Sequence, residues 1–169
     1  MGLKRGNLRS EEFEWITNRD LVDSAHLLMG QIDLDPASSS FANEYVGAKH
    51  YYTPKEDGLN EEKWFGNVYL FPPSQSYFWH KKSQRWKITR GIFFSNFIDM
   101  TMYCQDIFDH PVCIMKSRPT LIRHYYADDN VMSRNTGCSL IVYLQPKDNI
   151  EKATQEFIDI YSEKGRIIV

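Results

Sequence analysis

One short alternating stretch decides the fold of this chain: Gln31-Ile32-Asp33-Leu34-Asp35-Pro36-Ala37-Ser38. Its apolar and acidic residues alternate as they do in a β-strand, and the proline ends that strand. The small residues after the proline allow a ligand to approach the backbone. In open α/β sheets, ligands bind beyond the carboxyl ends of the strands. The stretch therefore predicts a strand with a ligand-binding turn at its end.

Two further strand ends point to the same crevice. Lys49-His50-Tyr51-Tyr52-Thr53 is strand-like and leads to Asp57, about 20 positions after Asp35, where an acidic residue often holds ribose hydroxyls. Asn67-Val68-Tyr69-Leu70 leads to Phe71-Pro72-Pro73-Ser74. Three such loops suit a nucleoside-containing cofactor and a second substrate. Alternatively, Asp57 only starts the Asp57-Gly58 turn.

The rest of the chain alternates between strand and helix patterns, which predicts an α/β fold with a parallel or mixed sheet covered by helices. Thr17 and Asp20 resemble a capping box that begins a helix ending before Gly30. The polar segment 127–137 is expected to be a surface loop. Strands are expected near 31–35, 49–53, 67–71, 90–95, 111–115, 138–144 and 166–169, and further helices near 41–48, 76–86, 98–108 and 149–162.

Composition predicts one domain spanning 1–169, with residues 1–13 expected to be flexible. The chain has 169 residues, of which 42% are hydrophobic, enough for a single substantial core. Neither a membrane span nor the apolar core of a signal peptide is evident in the sequence, which favours a cytoplasmic protein. No linker or repeat divides the chain.

The cysteines and histidines do not form a recognisable metal motif. Cys104, Cys113 and Cys138 are isolated in apolar surroundings, which indicates reduced core thiols. The five histidines lack the close spacings of zinc sites, so the sequence predicts no metal site. Phosphate-binding loops of the Walker type and serine-hydrolase elbows are also lacking.

Charge gives an ambiguous indication of a nucleic-acid partner. The net charge of −2 does not favour a polyanion, but a local basic segment follows the Pro-Pro stretch. Basic side chains neutralise phosphates, and an interleaved aromatic ring can stack on an unpaired base. The alternative is a solvated helix face with the tryptophan in the core. The candidate nucleic-acid contacts are Lys81, Lys82, Arg85, Trp86, Lys87, Arg90 and the more distant Arg118.

At these motifs the chain resembles the phage-type DNA N-6-adenine methyltransferase family, also called phage Dam. The resemblance extends from about Trp15 to the C-terminus. Its stronger part is carried by Glu14-Trp15-Ile16-Thr17, Ile32 to Ser38, Ala42-Asn43, Tyr51-Tyr52-Thr53, Asp57-Gly58-Leu59, and Trp64 with Gly66. Its weaker part is carried by His110-Pro111-Val112-Cys113, Arg118, Gly137 to Tyr143 and Gly165 to Val169.

The resemblance implies a Rossmann-like class I methyltransferase, with a mostly parallel sheet and helices on both faces. It also implies S-adenosylmethionine as methyl donor and the amino group of a flipped adenine as acceptor. Because Asp33 and Asp35 alternate on a strand, at most one faces a given pocket, and Asp35 is favoured; alternatively, Asp35 caps the following helix. The implied cofactor residues are Trp15, Thr17, Asp33, Asp35, Pro36, Ala37, Ser38 and, by the ribose argument, Asp57.

The chain departs from the family in the base-binding loop. Members carry Asn-Pro-Pro-Tyr or Asp-Pro-Pro-Tyr, where this chain has Phe71-Pro72-Pro73-Ser74 at the catalytic positions. A phenylalanine side chain cannot accept hydrogen bonds from the target amine, and serine offers no ring to stack on the base. Two hypotheses follow: an adenine methyltransferase impaired by its loop, or an inactive homologue that binds DNA, cofactor or a partner. A different acceptor, and recognition through a homodimer or partner subunit, stay open.

Overall fold

The computed structural model describes residues 13–60, 63–125, 128–134 and 139–169, in which strands and helices alternate along most of the chain. The strands are β1 Phe13–Ile16, β2 Leu34–Asp35, β3 His50–Tyr51, β4 Gly66–Leu70, β5 Ile88–Ser95, β6 Val112–Met115, β7 Thr120–Tyr125, β8 Asp128–Arg134, β9 Leu140–Leu144 and β10 Gly165–Ile168. The helices are α1 Arg19–Met29, α2 Ser40–Val46, α3 Ser76–Ser83, α4 Phe97–Tyr103 and α5 Ile150–Tyr161, with a 3-10 helix over Gln105–Asp109.

The main sheet has seven strands in the order β10-β6-β9-β5-β4-β2-β3. Strands β3, β2, β4 and β5 are parallel, and β9 lies antiparallel between β5 and β6. β10 closes the other edge, antiparallel to β6. The α/β fold expected from the alternating pattern is confirmed, with a mixed sheet.

The strand order reverses at β2. The chain passes from β2 outward to β3 and then returns to the other side of β2 as β4. Connections that leave in opposite directions open a crevice at the carboxyl ends of such neighbouring strands. The Asp-Pro turn after β2 and the Pro-Pro loop after β4 both lie at this edge.

Helices cover both faces of the sheet, because alternate strand residues point to opposite sides. On one face, Tyr69, Ile92 and Phe94 pack with buried residues of α1 and α5. On the other face, Val68, Leu70 and Phe93 pack with Trp79 of α3 and Met100 of α4, and with Ile107. The sheet is thus buried from both sides, which explains its long apolar runs.

A second, three-stranded antiparallel sheet in the order β1-β7-β8 was missed by the sequence patterns. The loop expected over 127–137 is wrong for Asp128–Arg134, which forms β8. Its polar residues gain ladder hydrogen bonds by pairing with β7, and such pairing overrides weak intrinsic propensity. Phe13, expected in a flexible segment, belongs to β1. Outside the described residues lie 1–12 and, within the expected loop, 127 and 135–137.

Several element boundaries also differ from the expectation. α1 is capped by Asn18, whose side chain accepts a hydrogen bond from the Leu21 amide, and not by Thr17. The helix expected over 98–108 divides into α4 and the 3-10 helix. Strands β2 and β3 are shorter than 31–35 and 49–53. Cys104 and Cys113 are buried free thiols, as expected, whereas Cys138 lies outside the described residues. Among the described helices, none is both long and apolar enough to cross a bilayer.

Two glycines with positive φ allow a matched stability test. A Cβ at Gly66 would lie 2.4 Å from an Asp33 carboxylate oxygen, whereas a Cβ at Gly30 would meet nothing within 4 Å. Gly30→Ala should cost only the backbone strain, about 1 to 2 kcal/mol. We expect Gly66→Ala to lower the free energy of unfolding by clearly more, as measured by urea denaturation. Equal losses in the two variants would contradict the close packing of β4 on Asp33.

Candidate functional site

The turn after β2 buries a carboxyl group. Asp35 is only 3% exposed, and its Oδ1 accepts a hydrogen bond from the Ala37 amide at 3.1 Å. The side chain therefore closes its own turn. The next helix, α2, is capped separately by Ser39, which accepts from the Ala42 amide at 2.9 Å. Asp35 is thus not the helix cap.

Burial gives Asp35 an unusual protonation equilibrium. Loss of solvation raises its pKa to about 7, hydrogen bonds from Ala37 and Ser38 offset part of that rise, and the nearby negative charge of Glu14 adds to it. The protonated form of Asp35 therefore persists to much higher pH than that of an exposed aspartate. A cation brought into the turn would favour the ionised form, because it would replace the missing solvation.

The β1 segment is anchored to this turn and to β4. Glu14 Oε1 accepts a hydrogen bond from the Ser39 hydroxyl at 2.6 Å. The Thr17 hydroxyl, which is 1% exposed, is hydrogen-bonded to the Tyr69 hydroxyl of β4. Trp15 lies between these two anchors and is half-buried. The structure therefore brings together the residues near the start of the chain and the turn after β2.

The loop after β3 packs on the same turn. A Cβ on Gly58 would lie 1.8 Å from the Pro36 carbonyl oxygen, so only glycine fits this approach. Trp64 Nε1 donates to the Gly58 carbonyl at 3.0 Å, and Lys82 Nζ donates to the Leu59 carbonyl at 2.6 Å. Pro36 and Ser38 are buried and Ala37 is half-buried. The loop thus forms one wall of the crevice.

Asp57 uses its carboxylate within its own turn. Oδ1 accepts from the Leu59 amide at 3.2 Å, and Oδ2 accepts from the Asn60 side chain at 2.6 Å. Its φ is positive, at 56°. This geometry corresponds to the turn-starting alternative for Asp57.

Asp33 has a different environment from Asp35. Its Oδ2 accepts from the Asn67 amide at 2.9 Å, its Oδ1 accepts from Gln31 at 2.6 Å, and Lys49 Nζ lies 3.6 Å away. These contacts tie the start of β4 to the segment before β2. Of the two aspartates, only Asp35 is buried in the turn at the carboxyl end of the strand.

The Pro-Pro loop lies beside the Asp35 turn, because β4 pairs directly with β2. Phe71 is half-buried and packs edge-on against Phe94, with ring centroids 6.2 Å apart. Pro72 is half-buried, whereas Pro73 and Ser74 are exposed. Phe71 therefore extends the apolar core where the resemblance places an amine-binding side chain.

The basic segment runs from the crevice edge to the opposite edge of the sheet, where β5 begins. Lys81 bonds Asp106 at 3.1 Å, Lys82 bonds the Leu59 carbonyl, and Arg90 bonds the Leu28 carbonyl at 3.0 Å. Trp86 is half-buried and packs on the core. The side chains of Arg85, Lys87 and Arg118 are exposed. Most of the segment thus corresponds to the alternative of a solvated surface with its tryptophan in the core.

Three polar residues of the crevice were not among the predicted contacts: Glu14, Ser39 and Tyr69. Glu14 and Tyr69 each alternate with apolar neighbours in short strands, which gave no sign that their polar ends meet the turn. Ser39 is one of three consecutive serines, and only its place as the cap of α2 distinguishes it. Their roles depend on contacts between distant segments.

Comparison with known proteins gives no assignment. No protein-family model, no curated protein and no solved structure matches this chain.

The buried Asp35 predicts a pH-dependent stability difference between the wild type and Asp35→Asn. Because the folded pKa of Asp35, about 7, lies above the ordinary value of an aspartate side chain, the wild type should lose stability relative to the variant as pH rises from 4 to 7. The upper limit of the change is about 4 kcal/mol. Urea denaturation at pH 4 and pH 8 measures it. A difference that stays constant across this range would show that Asp35 titrates normally.

Proposed function

We propose that this chain binds S-adenosylmethionine and has a Rossmann-like, class I methyltransferase fold. One observation carries the proposal. The segments that the resemblance assigns to the cofactor, around Trp15 to Thr17 and Asp35 to Ser38, are linked through the Glu14–Ser39 hydrogen bond. They meet at the point where the strand order reverses, which is where open α/β sheets bind nucleotide ligands.

The charge of the crevice suits this ligand. Glu14 and the ionisable Asp35 make the turn acidic, and the methionine end of S-adenosylmethionine carries an ammonium and a sulfonium group besides its carboxylate. A carboxylate paired with a cation contributes a charge-assisted hydrogen bond, which is stronger than a neutral one. Cofactor binding should therefore draw Asp35 to its ionised form.

Methyl transfer to the amino group of a flipped adenine in DNA is the reaction that we propose for this site. The Pro-Pro loop follows β4 and lies next to the Asp35 turn. A loop that presents an acceptor to the methyl donor has to lie beside the cofactor in this way. The Pro72 carbonyl can accept a hydrogen bond whatever side chain precedes it. The aromatic rings of Tyr77 and Phe78, which follow the loop in α3, offer a surface for base stacking.

A second candidate function is supported by the packing of Phe71. Its ring contributes to the core beside Phe94 and offers the acceptor amine no hydrogen-bond partner. A catalytically inactive homologue that keeps cofactor, DNA or partner binding fits this loop. The two candidates differ in turnover, and they share the cofactor site where the inactive homologue keeps cofactor binding.

The cofactor proposal is tested by calorimetric titration of the full chain with S-adenosylmethionine and S-adenosylhomocysteine. We expect the wild type to bind. Asp35→Asn should weaken the affinity by about 10- to 100-fold, because a charged hydrogen bond is lost. The matched control is Asp33→Asn, because Asp33 lies two positions away and bonds Gln31 and the Asn67 amide. This variant should keep the wild-type affinity.

Binding should also strengthen between pH 6 and pH 8, as the proton leaves Asp35, and this pH effect should vanish in Asp35→Asn. A wild type that binds neither compound would overturn the proposal. Equal affinities for Asp35→Asn and the wild type would remove Asp35 from the site.

The loop is tested by transfer of a radiolabelled methyl group to adenine-containing DNA. Phe71→Asn combined with Ser74→Tyr restores the amide and the ring that the resemblance expects. Its control, Phe71→Leu combined with Ser74→Tyr, disturbs the same packing without the amide. We expect the Asn variant to transfer methyl groups about 100-fold faster than the control, the size of one oriented transition-state contact. Equal rates would contradict the assignment of 71–74 as the acceptor loop.

A further inference from the structure

Three side chains with metal-ligand chemistry meet on the α3 face of the sheet. They are His80 of α3, Cys104 at the end of α4 and Asp106 of the 3-10 helix, and their nitrogen, sulfur and oxygen ligand atoms all lie within 4.8 Å of one another. In a tetrahedral zinc site, bonds of about 2.0 to 2.3 Å put ligand atoms roughly 3.3 to 3.8 Å apart. Only small side-chain movements would therefore bring the three atoms onto one ion.

The nitrogen and sulfur donors are enclosed by protein. His80 is 0% exposed and stacks on Phe93 with ring centroids 5.9 Å apart, and Cys104 is 1% exposed. Within the described residues, the Nδ1 atom of His80 has no hydrogen-bond partner. Polar atoms buried in this way are normally satisfied, and an unsatisfied one costs free energy. The other ring nitrogen, Nε2, lies 3.5 Å from the Asp106 carboxylate and contacts the Gln84 side-chain nitrogen at 3.1 Å. A metal bound through Nε2 would replace the Gln84 contact, whereas Nδ1 has no such contact to lose.

The carboxylate donor reaches the solvent-facing side of the cluster. Asp106 Oδ1 lies 3.5 Å from His80 Nε2, and Oδ2 accepts hydrogen bonds from Gln84 at 2.9 Å and Lys81 at 3.1 Å. The Lys81 side chain is 41% exposed, so its ammonium can move into solvent when another cation takes the carboxylate. The Lys81 ammonium would thus compete with a metal ion for the Asp106 carboxylate.

We propose that His80, Cys104 and Asp106 bind one zinc-type divalent cation, with the fourth position taken by water. Imidazole, thiolate and carboxylate are all established zinc ligands, and the mixed donor set suits a metal of intermediate softness better than calcium or magnesium. Binding releases the Cys104 proton and leaves the histidine neutral. The ion would tie α3 to α4 and the 3-10 helix. His80 and Cys104 are far apart in the sequence, so motif spacing gave no indication of the site.

The test is titration of the metal-free full chain with Co²⁺, which reports thiolate ligation as a near-ultraviolet charge-transfer band and tetrahedral geometry by visible absorption. Zn²⁺ should then displace the cobalt. We expect one equivalent to bind, and Cys104→Ser to abolish the charge-transfer band. Cys113→Ser is the matched control, because Cys113 is also a buried free thiol but lies on the other face of the sheet.

Two partly exposed positions keep the proposal testable if Cys104→Ser does not fold. Asp106→Asn should weaken Co²⁺ binding, whereas Lys81→Met should tighten it by about tenfold, because a competing positive charge is removed. No charge-transfer band in the folded wild type would overturn the proposal. So would a band that persists in folded Cys104→Ser, or affinities unchanged in both Asp106→Asn and Lys81→Met.

Discussion

The arrangement of the surrounding segments depends on the burial of the Asp35 carboxyl group. A group that prefers water is held where β2 ends, and three separate segments exclude water from it: β1 through Glu14, the loop after β3 through Gly58, and α2 through Ser39. Each contact adds packing but also raises the cost of ionising the group. Burial therefore places an electrostatic penalty on the ionised carboxylate, which a correctly placed cation would relieve.

At the carboxyl end of β4, the chain contributes to both faces of the sheet. Tyr69 and Phe71 of the β4 segment point to the α1 and α5 side, where Tyr69 bonds Thr17 and Phe71 packs on Phe94. The Pro-Pro loop then crosses to α3 on the other side. A polar residue at position 71 would leave the apolar surface of Phe94 less covered, so the proposed acceptor contact and the core packing would compete for the same side chain.

The sequence was informative where local chemistry decides structure, and less so where distant segments pair. The strand ending at Asp35-Pro36 and the helix ending at Gly30 follow from backbone preferences that any context obeys, and both were predicted. β8 was missed because its polar residues form a strand only by pairing with β7. Asn18 displaced Thr17 as the helix cap because Tyr69 engages the Thr17 hydroxyl.

The pairing of β1 with β7 has a consequence for the order of folding. Trp15 pairs with Arg123, so the partners come from distant parts of the chain, and the loop-closure entropy of such a contact is large. The seven-stranded sheet is built largely from nearer neighbours and can form first. The pairing of β1 with β7 would then form late. Because β1 belongs to the three-stranded sheet, the Glu14 and Thr17 contacts could open without unpairing any strand of the seven-stranded sheet.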